Sequence, residues 1–115
     1  MGARSARLAG PVGSSAVNVL DTLYTCPAGK VALIKSIRIV NNTGAVKDTV
    51  VGIGDPFYGY NRFLRVPVAA SGTYVDSDTD PVVLHAGQVI QARVIQAGAV
   101  AGDVTYVISG AELIA

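Results

Sequence analysis

The chain has 115 residues and a mass of 11.8 kDa, a length typical of one domain. Apolar residues other than glycine make up 50% of it and charged residues only 15%, which excludes an intrinsically disordered chain. The net charge is +1 with scattered Lys and Arg residues, a composition unlike that of a nucleic-acid-binding protein. Because so few polar side chains cover a small domain poorly, we expect another chain to cover part of the apolar surface.

The cysteine count and the hydropathy pattern bear on the redox compartment of the protein and on whether it crosses a membrane or is secreted. Cys26 is the only cysteine, which excludes an internal disulfide and a thiolate zinc cluster and suits a reducing compartment. No apolar run reaches the ~18–20 residues of a membrane span. The first residues contain two arginines but no apolar stretch of signal-peptide length. We therefore expect neither a membrane partner nor secretion.

The first fifteen residues differ in composition from the rest of the chain. They are mostly small and polar, and Arg4 and Arg7 are their charged residues. Such a segment buries little surface and orders poorly on its own. We predict a flexible N-terminal arm over residues 1–15 and one β-sandwich domain over residues 16–115. The arm is either a frayed terminus or a segment that becomes ordered on a neighbouring subunit.

Period-two alternation and β-branched residues predict a succession of short strands. In chain order these lie within residues 17–24, 31–40, 46–53, 63–68, 73–75, 82–84, 89–95 and 104–109. Pro27 and Gly29 fit a type II turn, residues 41–44 predict a hairpin, and Pro67 predicts an edge strand. The acidic residues 76–81 are interpreted as a polar loop.

The segment over residues 31–40 has the clearest strand pattern. Its alternate apolar residues are predicted to share one face: Val31, Leu33, Ile37 and Ile39. Ser36 and Arg38 then lie on the other face. Lys35 falls on the apolar face, so we expect its ammonium group near an edge or an opening.

A weak internal repeat supports a specific kind of sandwich. Residues 28–31 (AGKV) match residues 86–89 (AGQV) half a chain later, and Lys35 then matches Arg93. Two similar four-stranded halves make a jelly roll, which consists of two Greek keys. We predict an all-β fold: a jelly-roll-like sandwich of about eight antiparallel strands.

The residue types that could carry chemistry do not form a recognisable catalytic set. Asp76, Asp78 and Asp80 begin like an EF-hand loop, but Pro81 and Gly87 occupy the positions that need Gly and Glu. A looser Ca²⁺ site and a solvated turn remain alternatives. One histidine, His85, cannot supply a metal triad, and no third group accompanies a Cys–His pair. We predict no enzyme, no catalytic or metal residues and no cofactor.

An aromatic cluster interrupts the strand rhythm at residues 57–62. It contains Phe57, Tyr58 and Tyr60 and is followed by Arg62. Tyr and Arg are enriched at interface hot spots, so the cluster is a candidate binding surface. Stacking on a base or a sugar is one alternative, and packing against a sandwich end or a neighbouring subunit is the other.

Several segments resemble small virion proteins of tailed bacteriophages. They are LAGPV at residues 8–12, LYTCPAGKVALIKSIRIVNNTG at 23–44, VLHAGQVIQA at 83–92 and ISGAEL at 108–113. The resemblance implies an all-β, non-enzymatic component of a virion made in the bacterial cytoplasm. A capsid decoration (cement) protein is the first expectation. A head–tail junction, tail or fibre-associated protein is the second.

The expected partners follow from this resemblance and from the low charge. We expect a homo-oligomer, with a trimer favoured, that binds the major capsid protein or another virion protein. The candidate partner-binding residues are Arg4, Arg7, Leu8, Phe57, Tyr58, Tyr60 and Arg62. A carbohydrate-binding module that uses Tyr58, Tyr60, Tyr74 and the acidic loop is the alternative from a different class.

Overall fold

The computed structural model describes residues 6–54 and 60–114, with the backbone alone for residues 6, 7, 60–64 and 76–81. The described residues form eight strands and no helix. The strands are β1 (Ala6–Gly13), β2 (Asp21–Thr25), β3 (Lys30–Asn41), β4 (Lys47–Gly54), β5 (Tyr60–Val68), β6 (Thr73–His85), β7 (Val89–Val94) and β8 (Val104–Ile114). No helix long and apolar enough to cross a membrane occurs in this part of the chain.

The strands form two four-stranded antiparallel sheets packed face to face. The first sheet has the order β1-β8-β3-β6 and the second the order β2-β7-β4-β5. Strands four places apart in the chain occupy equivalent positions in the two sheets: β1, β8, β3 and β6 of the first sheet correspond to β5, β4, β7 and β2 of the second. The two halves of the chain are therefore topologically equivalent. The predicted jelly-roll sandwich is confirmed.

The internal repeat corresponds to two equivalent turns that touch each other. Gly29 and Gly87 have positive φ angles of 76° and 84°. The N–H groups of the next residues, Lys30 and Gln88, each donate to the carbonyl three residues earlier. The Cys26 N–H also donates to the Gln88 carbonyl at 2.9 Å, and the Gly87 N–H donates to the Cys26 carbonyl at 3.0 Å. The repeated AG pairs therefore build one end of the sandwich.

The hairpin predicted at residues 41–44 is wrong. β3 pairs with β6 and β8, whereas β4 pairs with β5 and β7, so residues 42–46 cross from one sheet to the other. Residues 95–103 make the equivalent crossing from β7 to β8. Turn residues such as Asn and Gly suit both kinds of connection, which is why the local sequence did not separate them.

The predicted inner face of β3 is only half correct. A register shift between Ile34 and Ser36 occurs in the pairings of β3 with both neighbours. This bulge at Lys35 inserts one residue and reverses the alternation. The buried residues are consequently Ala32, Ile34, Ile37 and Ile39, while Val31 and Leu33 face outward. Lys35 is exposed at the bulge instead of lying on the apolar inner face.

The predicted loop at residues 76–81 is instead part of β6. Ser77 pairs with Ser36 and Val82 pairs with Ile34, so residues 78–81 lie opposite Lys35 alone. The two predicted short strands on either side of the loop are thus one strand, interrupted by a bulge of four residues. At the edge of the second sheet, β5 is an edge strand with Pro67 exposed, as predicted.

The structure also revises the N-terminal arm. Residues 6–13 pair with β8 and form the edge of the first sheet, and Ser14 and Val17 are joined to the β7–β8 connection by backbone hydrogen bonds to Gly102 and Ala99. The sequence ARLAGPVG shows no regular alternation of apolar and polar residues. The strand that it forms is irregular as well, because its register against β8 shifts at two places. Of the predicted arm, residues 1–5 lie outside the described residues.

The core contains one side chain whose polar group is unpaired. Tyr106 of β8 is fully buried, and its hydroxyl has no hydrogen-bond partner among the described residues. Burial and the nearby Asp21 charge raise the pKa of Tyr106, so the hydroxyl stays neutral. The free energy of unfolding should rise by about 1 kcal/mol in Tyr106→Phe, because the variant removes an unsatisfied buried hydroxyl.

Tyr24 provides a matched control for this prediction. Its hydroxyl donates to the Glu112 carboxylate across the sandwich, so Tyr24→Phe should lower the free energy of unfolding, by about 1 kcal/mol. Urea denaturation of both variants measures the two changes. A Tyr106→Phe variant that loses stability as Tyr24→Phe does would contradict the unpaired hydroxyl.

Candidate interaction surface

The outer face of the first sheet is built from cross-strand rows centred on β3. Residues paired across antiparallel strands share a face, so each outward β3 residue lies between one residue of β8 and one of β6. The rows are Val31 with Leu113 and His85, Leu33 with Ala111 and Val83, Ser36 with Ser109 and Ser77, Arg38 with Val107 and Val75, and Val40 with Thr105 and Thr73. The Lys35 bulge places the first two rows on this outer side.

Six of these residues make the surface unusually apolar; we call Val31, Leu33, Val75, Val83, Val107 and Leu113 the apolar face. Val75 is 46% exposed and Val83 40%, and the other four are partly exposed. Arg38 is the one permanently charged side chain in the rows, and Lys35 adjoins them. The row of Ser36, Ser77 and Ser109 divides the apolar face into two adjacent groups, Val31, Leu33, Val83 and Leu113 on one side and Val75 and Val107 on the other. Exposed apolar groups of this kind occur at interaction sites on soluble proteins.

The outer face of the second sheet has the opposite character. The Arg65 Nη2 atom donates to the Asp48 Oδ2 atom at 2.7 Å, and Gln91 Nε2 donates to Thr22 Oγ1 at 3.0 Å. Val50 lies between Arg65 and Arg93 in the strand register and is buried. Long arginine side chains cover apolar surface with their methylene groups while the charged head stays in water. This face is more polar than the outer face of the first sheet, and among its described atoms Asp48 Oδ1 is buried without a hydrogen-bond partner.

A second group of exposed apolar residues lies at the end of the sandwich where the strands change sheets. It comprises Val19 and Leu20 of the β1–β2 connection, Val46 of the β3–β4 connection and Val100 of the β7–β8 connection. Asp103 and Lys47 form an ion pair of 3.4 Å at this end, and the pKa of Asp103 is lowered by the Val100 N–H and by Lys47. The valines here are interspersed with polar groups and do not form cross-strand rows.

The structure describes only part of the predicted partner-binding set. Arg4, Phe57 and Tyr58 lie outside the described residues, and Arg7, Tyr60 and Arg62 are described by backbone only. Leu8 is partly buried against the core. β1 contacts β2 at one edge of the sandwich and β5 contacts β6 at the other, so the backbone of Arg7 and Leu8 and that of Tyr60 and Arg62 belong to opposite edges.

The apolar face was missed by the sequence interpretation, although a signal for it was present. Residues 31–34 are continuously apolar, VALI, and residues 106–108 are Tyr, Val and Ile. A strand that is apolar at consecutive positions is covered on both faces, whereas a strand with one wet face alternates. The continuous runs in two adjacent strands therefore indicate a second covered surface.

The titratable side chains that the structure describes are spread over the sandwich. Among residues whose side chains are described, which leaves out residues 76–81, no group of three or more His, Cys, Asp or Glu could hold a metal ion. Cys26 is buried, and burial raises the pKa of its thiol. The thiol lies 3.4 Å from the Lys30 carbonyl, a contact that fixes the turn before β3.

Comparisons with known proteins give structural likeness only. No family model and no curated protein matches the chain. Among solved structures, the Drosophila NLP core, described for its pentamer formation and histone binding, has 16% identity and a TM-score of 0.45. That match covers 89% of this chain and 94% of the other. A chain of the infectious bursal disease virus Gx strain has 11% identity and a TM-score of 0.49, covering 98% of this chain. Our chain spans 32% of that viral chain.

Proposed function

We propose that this protein is a non-enzymatic structural protein of a bacteriophage virion, specifically a capsid decoration protein that assembles as a homo-oligomer on the major capsid protein shell. The observation that carries the proposal is the apolar face, because it gives the domain a built surface for a partner. The segments that resemble small phage virion proteins supply the virion setting. The partners are a second copy of the chain and the shell.

The composition of the apolar face suits a contact between subunits. Burying apolar surface contributes about 25 cal/mol for each Å² removed from water, and the exposed valines are rigid at χ1, so they lose little side-chain entropy. Arg38 lies among them in the row with Val75 and Val107. A buried guanidinium must be hydrogen-bonded, so the partner has to present a carboxylate or carbonyl oxygen opposite Arg38.

The proposal is tested on the parent particle. Purified protein should be an oligomer and should co-sediment with expanded capsids that lack it, and a cryo-EM map of the particle should show it on the shell surface. A monomer that does not bind capsids would overturn the proposal. Density confined to the neck, tail or fibres would assign a virion role elsewhere and would overturn the decoration role.

Two valines of β6 give a direct test of the apolar face. In Val75→Lys/Val83→Lys the oligomer should dissociate to monomers, because two charges would have to be buried without partners. The free energy of unfolding should change by less than about 1 kcal/mol, since both side chains are exposed. Sedimentation velocity measures the oligomer and thermal denaturation measures the fold.

The matched control makes the same substitution at valines of similar exposure elsewhere. Val46 is 49% exposed and Val100 60%, and both belong to the connections at the end of the sandwich. Val46→Lys/Val100→Lys should leave the oligomer intact. If this control dissociates and the β6 variant does not, the subunit contact lies at the end of the sandwich and the assignment of the apolar face is wrong.

A further inference from the structure

The end of the sandwich opposite the AG turns carries almost no charge. Four connections form this end, which we call the distal end: residues 14–20, 42–46, 69–72 and 95–103. Asp103 is the only charged residue in these connections, and its carboxylate lies 3.4 Å from the Lys47 Nζ atom with 13% of its side chain exposed. Exposed surfaces of soluble proteins ordinarily mix charges of both signs, whereas the centres of interfaces are depleted of charge. The composition of the distal end is therefore that of a covered surface.

The distal end is one ordered surface, because its connections are hydrogen-bonded to one another in series. Residues 14–20 bond to residues 95–103, these bond to residues 42–46, and those in turn bond to residues 69–72. The backbone bonds run from the Val17 N–H to the Ala99 carbonyl at 3.0 Å, from the Asn42 N–H to the Asp103 carbonyl at 2.9 Å and from the Ser71 N–H to the Thr43 carbonyl at 2.8 Å. A preformed surface of this kind loses little conformational entropy when a partner binds.

The exposed large apolar side chains of the domain are concentrated at the distal end. Val100 is 60% exposed, Val46 49%, Val19 48% and Leu20 40%. Among the described residues, three other large apolar side chains are as exposed, and two of them belong to the apolar face. Exposed alanines occur in all four connections as well. The distal end thus offers a second apolar surface, separate from the apolar face.

Two segments of the chain outside the described residues are attached far from the distal end. Residues 55–59 join β4 to β5 where Gly54 pairs with Val89, directly after the second AG turn. Residues 1–5 precede Ala6, which pairs with Gly110. Five residues span at most about 18 Å when extended, whereas β1 and β4 separate these attachment points from the distal end by about 20 Å. Neither segment can therefore cover the distal end.

The proposed oligomer leaves the distal end free. Its subunits meet through the apolar face, which runs along the strands, whereas the distal end caps them. A closed ring repeats each surface by rotation about one axis, so every copy presents its distal end to the same side. A shell that binds several of these ends at once gains avidity from each copy.

We propose that the distal end attaches the oligomer to the capsid shell and that it binds an uncharged apolar patch of the shell. The inference rests on the proposed function, and it adds which surface meets the shell and what chemistry that surface recognises. A charged group of the shell buried here would lack a counter-charge, because Asp103 and Lys47 already pair with each other. Apolar contact holds the attachment, so ionic strength has little effect on it.

Two lysines at the distal end test the attachment. Val46→Lys/Val100→Lys should remain an oligomer and should bind expanded capsids at least about 10-fold more weakly than the unaltered protein, because two charges would be buried without partners. Co-sedimentation with capsids that lack the protein measures the affinity. Sedimentation velocity and thermal denaturation verify the oligomer and the fold. Raising NaCl from about 0.1 M to about 1 M should change the affinity of the unaltered protein by less than about twofold.

Alanine-to-lysine pairs at the two ends provide the matched comparison. Ala45 and Ala101 lie at the distal end, Ala28 and Ala86 lie in the AG turns, and all four are exposed. Ala45→Lys/Ala101→Lys should weaken capsid binding as the valine variant does. Ala28→Lys/Ala86→Lys adds the same charge at the other end and should bind capsids like the unaltered protein.

The inference is overturned if either distal variant, folded and oligomeric, binds capsids as tightly as the unaltered protein. It is equally lost if the AG-turn variant loses as much affinity, or if high salt abolishes binding. A folded distal variant that dissociates to monomers would make this end a contact between copies and would also overturn it. Unaltered protein that does not bind capsids removes the proposed function as well, whereas equal binding by all the proteins removes this inference alone.

Discussion

Gly110→Ala should lower the free energy of unfolding by about 3 kcal/mol or prevent folding altogether. Gly110 lies in β8 between Ile34 of β3 and Ala6 of β1. A Cβ atom there would collide with the backbone carbonyl group of Leu33 and lie 3.2 Å from the Ile34 Cα atom. These are backbone atoms of a central strand, so β3 and β8 would have to separate to make room.

The comparison variant is Gly44→Ala. Gly44 is exposed in the β3–β4 connection, and a Cβ there would meet no atom within 4 Å. Neither glycine has a positive φ, so the two substitutions differ in the space available and not in backbone strain. Urea denaturation should show a large fall in the midpoint for Gly110→Ala and almost none for Gly44→Ala. Equal midpoints would refute the close approach of β3 and β8 at the bulge.

Asn41→Ala should be the second severe substitution, with a loss of about 3 kcal/mol of unfolding free energy. Asn41 is 2% exposed at the end of β3. Its Nδ2 atom lies 2.7 Å from the Ala45 carbonyl, 3.0 Å from the Val68 carbonyl and 3.2 Å from the Ala69 carbonyl. Its Oδ1 atom accepts from the N–H and hydroxyl of Thr43. Alanine would remove the partner of the buried Val68 carbonyl and would break the bonds that Asn41 makes to the partly buried crossing between the sheets.

The neighbouring asparagine is the matched control. Asn42 is exposed, and its Nδ2 atom donates to the Thr105 hydroxyl at 2.8 Å and to the Gly102 carbonyl at 3.2 Å. Water can replace these bonds, so Asn42→Ala should cost less than about 1 kcal/mol. Chemical denaturation of the two variants under the same conditions separates the effects. If both lose the same stability, the buried amide network of Asn41 is not what holds this end together.

Much of the fold was predictable because the relevant signals are local. Alternation identified most of the strands, Pro67 marked β5 as an edge strand, and the repeated AG turns indicated two equivalent halves. Each of these features depends on a few adjacent residues and on the backbone conformations that they prefer.

The errors all involve residues whose role depends on distant strands. One inserted residue at Lys35 reverses the faces of β3, and no local pattern marks a bulge whose partners are β6 and β8. The residues at 41–44 suit a hairpin as well as a crossing. The irregular β1 carries too little alternation to be recognised without β8.

The candidate interaction surface, too, was predictable from the sequence only in part. From the low charge alone we already expect another chain to cover part of the domain. The sequence interpretation assigned that contact to the first residues and to the aromatic cluster at residues 57–62. The structure adds the outer face of the first sheet as a candidate, because only the sheet places Val31, Leu33, Val83 and Leu113 in adjacent cross-strand rows.

By itself, the sequence determined that this is one all-β domain with a jelly-roll pattern, little charge and an excess of apolar residues. Strand periodicity, turn chemistry and composition are properties of neighbouring residues, so they can be obtained without a structure. Only the tertiary structure decided which residues are inside, which strands are partners and where the excess apolar surface lies. Those properties depend on register between strands far apart in the chain, and a shift of one residue exchanges the two faces of a sheet.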